Sequence, residues 1–224
     1  TQVIAFILIL ICFWAAFALY PAPGPAFDYA RVGVPPDWTH NYTGFLSHWN
    51  KNSNLSWAFD VWFLNLFPRE HPFIFNEGGW STLSFIPTLA TMILGLLTGE
   101  WLKAEGSKQR KAQGLFVAGA ALTLLGLIFQ WAGICPIVKR VWTSSYTLYS
   151  GGLVLLILAA FYAVMEWKGW QRWAFPLVVV GMNSIAIYVM SWTMTDFFSK
   201  ALDRHFGRAI EWISGPTFQP VLHG

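Results

Sequence analysis

The sequence predicts an all-α protein of the polytopic membrane class, a transmembrane helical bundle with at least five membrane spans. Hydrophobic residues make up 55% of the 224 residues and charged residues only 11%, whereas a soluble domain carries about 25% charged residues. Five uncharged apolar runs are each about 20 residues long, which a helix needs to cross the bilayer. Tryptophans near the run ends, such as Trp80, Trp101 and Trp131, are typical of an interfacial aromatic belt. This composition excludes disordered and strongly basic nucleic-acid-binding proteins, so we expect the lipid bilayer as a partner and no nucleic acid.

The five runs define the predicted elements in chain order. Residues 1–20 form transmembrane helix 1, and residues 21–80 form a long loop. Residues 81–195 contain transmembrane helices 2–5 with short loops, and residues 196–224 form a tail that leads to a missing last helix. The chain begins without Met and almost inside a hydrophobic run, so we expect a fragment of a longer protein. The apolar runs themselves cover residues 3–20, 81–99, 114–133, 145–165 and 174–195.

Basic residues in the short loops predict the orientation. Loops 103–113 and 166–173 together carry six Lys and Arg residues, and they lie on the same side if all five runs cross the bilayer. The short loop on the opposite side carries only Lys139 and Arg140. The positive-inside rule therefore predicts that the two basic loops are cytoplasmic. The long loop 21–80 and the tail then face outward.

Polar residues of the long loop are the first candidate site residues. Asp60 and Asn65 interrupt an otherwise apolar stretch, as in an interfacial segment or one that re-enters a protein-lined cavity. Glu77 leads into the second run, where it either caps the helix through its dipole or lines a site. Gly78 and Gly79 follow it, and glycines let a backbone approach a ligand closely.

Asn183 lies in the middle of the fifth run, where it either bonds to a neighbouring helix or contacts a ligand. His40, His48 and His71 lie in the long loop without a tight spacing such as His-x-x-x-His, so we expect no metal site. Cys135 has no adjacent base in the sequence, which favours a structural thiol over a nucleophile.

Four motifs occur in linked order between about residues 45 and 190. They are His48-Trp49-Asn50-Lys51-Asn52-Ser53-Asn54 with the following 59–69, Asn76-Glu77-Gly78-Gly79 with 82–92, Cys135-Pro136-Ile137 with Lys139, and Gly181-Met182-Asn183-Ser184. In order and spacing they resemble the bacterial membrane acyltransferase-like proteins related to heparan-alpha-glucosaminide N-acetyltransferase. The resemblance places this chain in the C-terminal half of such a protein.

The resemblance implies a bundle of about ten or more transmembrane helices in the bacterial inner (cytoplasmic) membrane. It also implies acetyl transfer from acetyl-CoA to an amino sugar across that membrane. The family's catalytic histidine lies in the N-terminal half, in a His-x-x-Trp-x-Gly-type loop. His48-Trp49-Asn50 does not have that pattern, so the resemblance assigns no catalytic residue to this chain.

Two functions are therefore carried forward from the sequence. In a membrane acyltransferase, Asp60, Asn65, Arg69 and Glu77 would orient the amino sugar by hydrogen bonds, with Gly78, Gly79 and Asn183 as further substrate-binding residues. The alternative is a non-catalytic accessory transmembrane subunit of a larger membrane complex, for which the Gly-x-x-x-Gly pattern at residues 95–99 suits helix packing. A transporter ranks last, because the spans carry no charged residue for ion coupling.

Overall fold

The computed structural model describes residues 1–197, 200–201 and 204–205, and these contain helices and no strand. The chain divides into two compact units, residues 1–169 and residues 170–224. The first unit holds α1 (Gln2–Leu19), α2 (Leu55–Leu64), α3 (Phe85–Lys103), α4 (Lys108–Trp131) and α5 (Ser144–Tyr162). The second holds α6 (Phe175–Met182) and α7 (Ser184–Thr193). The predicted tail 196–224 lies almost wholly outside the described residues.

Four helices of the first unit are long and apolar enough to cross a membrane, which supports the predicted class of membrane bundle. They are α1, α3 with its preceding turn from Thr82, α4, and α5 extended to Trp167. Helix α4 begins six residues before the predicted run at residue 114. The Oγ of Ser107 accepts a hydrogen bond of 3.3 Å from the backbone N–H of Arg110. This cap lets the helix include the charged residues that precede its apolar part.

The predicted fifth span is broken. Helices α6 and α7 meet at Asn183 with a bend of 69°, so this segment is either a broken span or a re-entrant loop. Asn183 has φ −113° and ψ 27°, outside the helical region. Its Nδ2 donates to the carbonyl oxygen of Val179 at 2.9 Å. A short amide side chain that bonds to nearby backbone competes with the helical ladder, which explains the break.

Helices α4 and α5 form a closely packed hairpin because both present glycines to the contact. A Cβ atom at Gly152 would lie 2.5 Å from the backbone nitrogen of Thr123 and 2.7 Å from the carbonyl oxygen of Gly119. Helix α1 closes the bundle, since Ser144 Oγ donates to the carbonyl oxygen of Leu10 at 2.8 Å. Small residues at such contacts are typical of membrane helix packing.

The two ends of this unit differ in their connections. At one end, Gln2 Nε2 donates to Glu100 Oε1 at 2.7 Å, and Lys108 Nζ lies 3.2 Å from Glu166 Oε2. The first contact joins the start of α1 to the end of α3, and the second joins the start of α4 to the chain after α5. The loops 20–84 and 132–143 lie at the other end, which we call the capped end. The alternation of the spans predicted this grouping of the loops.

Candidate functional site

The long loop at the capped end is held by buried asparagines, of which Asn50 fixes its first part. Asn50 is 2% exposed. Its Oδ1 accepts a hydrogen bond of 2.7 Å from the backbone N–H of Tyr42. Its Nδ2 donates to the carbonyl oxygen of Tyr42 at 3.0 Å and to the Tyr29 hydroxyl at 2.9 Å. One amide therefore ties its own segment to two earlier parts of the loop, which lie 21 and 8 residues before it.

Asn52 fixes the second part of the loop. Its φ of 50° is in the left-handed region, which asparagine adopts more readily than most residues. Its Nδ2 donates to the carbonyl oxygens of Val32 at 2.8 Å and Asn76 at 3.1 Å. Lys51 lies between Asn50 and Asn52, so the position of its backbone is set by buried hydrogen bonds on both sides.

The short loop 132–143 is fixed by the side chain of Thr143. Its Oγ1 donates to the carbonyl oxygen of Pro136 at 2.6 Å and accepts from the backbone N–H of Val138 at 3.1 Å. The Ile137 N–H donates to Gln130 Oε1 at 2.6 Å, which anchors the loop to the end of α4. These bonds position the exposed pair that follows, Lys139 and Arg140.

The two fixed loops enclose a cleft of about 530 Å³. Its walls bring together three cationic side chains, Lys51, Lys139 and Arg140, with the aromatic rings of Trp38 and Tyr42. The Lys51 ammonium lies 4.8 Å from the centroid of the Trp38 ring. We call this space the cationic cleft. Its remaining lining residues are His40, Trp49, Asn50, Gly79, Ile137, Val138 and Val141.

The charge in the cleft is imperfectly balanced by the protein. Burial and the positive charge of Arg140 lower the pKa of Lys51, and Glu77 opposes this effect. Among the described residues, the ion pairs within 4 Å are Arg31–Asp28 and Lys108–Glu166, so no cleft cation takes part in one. Repulsion between cations is relieved when an anion binds, which makes the cleft an electrostatic site for negative charge.

Of the residues predicted from sequence, Gly79 lines the cleft, and the charge of Glu77 acts on Lys51 in its wall. The backbone N–H of Gly79 donates to the Asn76 carbonyl oxygen at 2.9 Å and closes a turn. Gly79 has φ 71°, and a Cβ atom there would lie 3.2 Å from Lys51 Cγ. The positive φ therefore favours glycine in this turn, and a Cβ atom would also require the Lys51 side chain to shift. A Cβ atom on the neighbouring Gly78 would lie 2.6 Å from the Trp80 ring.

Asp60 has a structural connection next to the cleft. It is 4% exposed, and its two carboxyl oxygens lie 3.1 and 3.0 Å from the backbone nitrogen of Thr82. Thr82 begins the turn that leads into α3, where unpaired N–H groups favour an acceptor with negative charge. A cavity of about 10 Å³ beside Asp60, also lined by Gly79, has room for about one water molecule.

Asn65 and Arg69 lie away from the lining of the cleft. Asn65 Oδ1 accepts from the Phe73 N–H at 2.7 Å, and its Nδ2 donates to the carbonyl oxygens of Val61 and Phe73. The Arg69 guanidinium lies 5.5 Å from the centroid of the Phe73 ring. Both residues thus stabilise the return of the chain after α2. Asn183 belongs to the second unit, where its amide bonds to its own helix.

The cleft cations and Trp38 were not among the site residues predicted from sequence. The loops that carry them are far apart in the chain, and their pairing depends on the packed bundle. The sequence did contain an indication of this pairing, because alternating spans place loop 132–143 on the same side of the membrane as the long loop. Charged residues of both loops are therefore candidates for a shared site.

His48 and Cys135 lie in structural positions at the capped end. No group of three or more His, Cys, Asp or Glu side chains that could hold a metal occurs within residues 1–197, 200–201 and 204–205. His48 Nδ1 lies 2.7 Å from the carbonyl oxygen of Tyr20, which secures the loop to the end of α1. Cys135 is 1% exposed, and burial raises the pKa of its thiol, so it stays protonated near neutral pH.

No family model, curated protein or solved structure matches the chain. The cationic cleft and the residues around it are therefore the basis on which a function is inferred.

Proposed function

We propose that this chain is part of an integral acyltransferase of the bacterial inner membrane, which passes an acetyl group from acetyl-CoA to an amino sugar. The cationic cleft carries the proposal as the acceptor site, with loop 21–80 facing outward. Its volume of about 530 Å³ falls within the range of about 300–1,000 Å³ for small-molecule pockets. Trp38 and Tyr42 offer rings against which the apolar face of a sugar can pack. The resemblance over residues 45–190 supports the same function.

The charge of the cleft suits an amine that must act as a nucleophile. An amino group attacks a thioester carbonyl only in its neutral form, and neighbouring cations disfavour the ammonium form. For an acceptor without a negative group of its own, Lys51, Lys139 and Arg140 therefore lower the pKa of an amine bound beside them. The amine nitrogen forms the new C–N bond, the C–S bond of the thioester breaks, and the amine proton leaves to a base. No described residue is assigned as that base, and the family resemblance places the catalytic histidine in the other half of the protein.

Glu77 is the carboxylate that we assign to orient the acceptor, because its charge acts on the cleft. Its electrostatic effect reaches Lys51, which lines the cleft. A carboxylate near the cleft accepts hydrogen bonds from sugar hydroxyls or from the amine. Asp60 and Asn65 act on the acceptor through the loop that they hold, since their polar atoms are engaged with backbone N–H and C=O groups.

The test is acetyl transfer by the intact protein, purified in mild detergent after its mass has been measured. We expect it to bind acetyl-CoA, to release CoA when glucosamine is added, and to give an acetylated sugar by mass spectrometry. Trp38→Ala should raise the KM for the sugar, whereas Trp62→Ala, which alters an exposed ring outside the cleft lining, should leave it unchanged. Absence of acetyl-CoA binding by the intact protein would count against the proposal, as would equal KM values for the two variants.

A second candidate is a non-catalytic accessory subunit, and one surface favours it. Helices α3 and α5 border an apolar groove of about 600 Å³ that includes Gly95 and Gly99. A Cβ atom at either glycine would meet nothing within 4 Å, so a further helix can approach closely there. Co-purification with a membrane complex at fixed stoichiometry, lost in Gly95→Leu, would support this function. A lone monomer in mild detergent would contradict it.

A further inference from the structure

Three features of the cationic cleft point to the chemistry of its ligand. Lys51, Lys139 and Arg140 supply three positive charges, and Glu77 is the carboxylate whose effect reaches Lys51. The protein therefore leaves an excess of about two positive charges at this place. A phosphate monoester carries about −1.5 to −2 charges near neutral pH. A single carboxylate or sulfate ester would balance only half of the excess.

The backbone that carries the donors of the cleft is held in place before any ligand binds. The hydrogen bonds of Asn50 and Asn52 fix the backbone on both sides of Lys51. Thr143 fixes the loop that carries Lys139 and Arg140. A guanidinium and two ammonium groups line the cleft from two fixed loops, and a phosphate accepts charge-assisted hydrogen bonds from such groups. A preorganised backbone also reduces the ordering cost of binding.

The aromatic part of the cleft adds a second kind of recognition. The Trp38 ring lies against the Lys51 ammonium at 4.8 Å and edge-on to His40 at 5.1 Å between ring centroids. Tyr42 lines the same space. Such rings bind the apolar face of a sugar, while the cations bind an anionic group attached to it.

We infer that the cationic cleft binds a phosphorylated sugar, with its phosphate between Lys51, Lys139 and Arg140 and its ring beside Trp38. The inference rests on the proposed function only in taking the cleft as the acceptor site. The phosphate belongs either to a free sugar phosphate or to a lipid headgroup at the membrane surface. In both cases the recognised chemistry is a phosphate group that carries about two negative charges.

The binding test uses the intact protein and glucosamine 1-phosphate as the probe, with glucosamine as the comparison that lacks the phosphate. We expect saturable binding of the phosphorylated probe and at least about tenfold weaker binding in the double variant Lys139→Gln/Arg140→Gln, because two charge-assisted bonds are lost. The matched control is Lys103→Gln/Arg110→Gln, which removes one Lys and one Arg from the opposite end of the bundle and should bind like wild type. Thermal unfolding of each variant shows that it is folded.

A second arm distinguishes the two sources of phosphate. Nanodiscs that contain phosphatidic acid should displace the probe if the cleft takes a lipid headgroup, and nanodiscs of phosphatidylcholine should not. Displacement by phosphatidic acid that is lost in the cleft variant supports a lipid source, and probe binding without displacement supports a free sugar phosphate. Equal affinity of the cleft and control variants overturns the inference, as does equal affinity for glucosamine and its phosphate.

The outcomes separate this inference from the proposed function. Specific phosphate binding without acetyl transfer leaves the cleft assignment intact and overturns the acyltransferase proposal. Acetyl transfer to glucosamine with a KM unaffected by Lys139→Gln/Arg140→Gln, in the absence of phosphate binding, overturns the cleft assignment alone.

Discussion

The close contact between α4 and α5 makes Gly152→Ala the most informative single substitution in the bundle. The added methyl group would lie 2.5 Å from the Thr123 nitrogen and 2.7 Å from the Gly119 carbonyl oxygen. Both atoms belong to the backbone of α4, so neither can rotate away. Overpacking of a tight contact typically costs about 1–3 kcal/mol. Because the neighbours are backbone atoms, a cost in the upper half of that range applies, about 2–2.5 kcal/mol. Alanine regains about 0.5–1 kcal/mol of helix propensity, which leaves a net loss of about 1–2 kcal/mol.

The assay is thermal unfolding in mild detergent, followed by tryptophan fluorescence and by loss of the monodisperse peak. For a chain of this size we expect the midpoint to fall by about 2–8 °C. The control is Gly95→Ala, where a Cβ atom meets nothing within 4 Å, so only the gain in propensity remains and the midpoint should be unchanged or higher. A Gly152→Ala protein at least as stable as Gly95→Ala would refute the packing of the hairpin described above.

Two other residues give predictions of a similar kind. Asp60→Ala removes both acceptors from the Thr82 N–H in the turn before α3. A hydrogen bond to a charged group is worth about 2 kcal/mol. The unfolding midpoint of this variant should therefore fall clearly below that of the exposed control Asp37→Ala. Cys135 should resist a maleimide reagent at neutral pH until the protein is unfolded, because burial both raises the pKa of its thiol and blocks access. Rapid labelling of Cys135 in a folded Cys12→Ser protein would contradict that placement.

The sequence was sufficient to predict the helices that are long, uncharged and apolar throughout. Apolar run 3–20 corresponds to α1 (Gln2–Leu19), and run 145–165 corresponds to α5 from Ser144. The break at Asn183 was not predicted, because hydropathy averages over a window and does not register one amide that bonds back to its own helix. Mean hydropathy therefore locates apolar segments better than it locates their breaks.

The candidate site was predictable only in part, for a different reason. Glu77 and Gly79 belong to a turn that the consecutive glycines mark in the sequence. Gly79 lines the cleft, and the charge of Glu77 acts on Lys51. Asp60 was predicted as a site residue because its carboxyl group interrupts an apolar stretch. Its partner is a backbone N–H 22 residues away, and no local sequence pattern reveals such a partner. Lys139 and Arg140 become neighbours of Lys51 only when the bundle brings two distant loops together.

The hydrogen bond between Ser144 and Leu10 has a consequence for the order of assembly during synthesis. The two residues are 134 positions apart, so α1 leaves the ribosome long before its partner on α5 exists. Trp14 Nε1 donates to the carbonyl oxygen of Ile134 at 2.9 Å, and this bond also cannot form until Ile134 has been synthesised. The α4–α5 hairpin, by contrast, joins neighbours in sequence and can form as soon as it is made. We therefore expect the first helix to be the last to gain its full set of contacts, and the cleft above it to take shape only once the chain has passed Ser144.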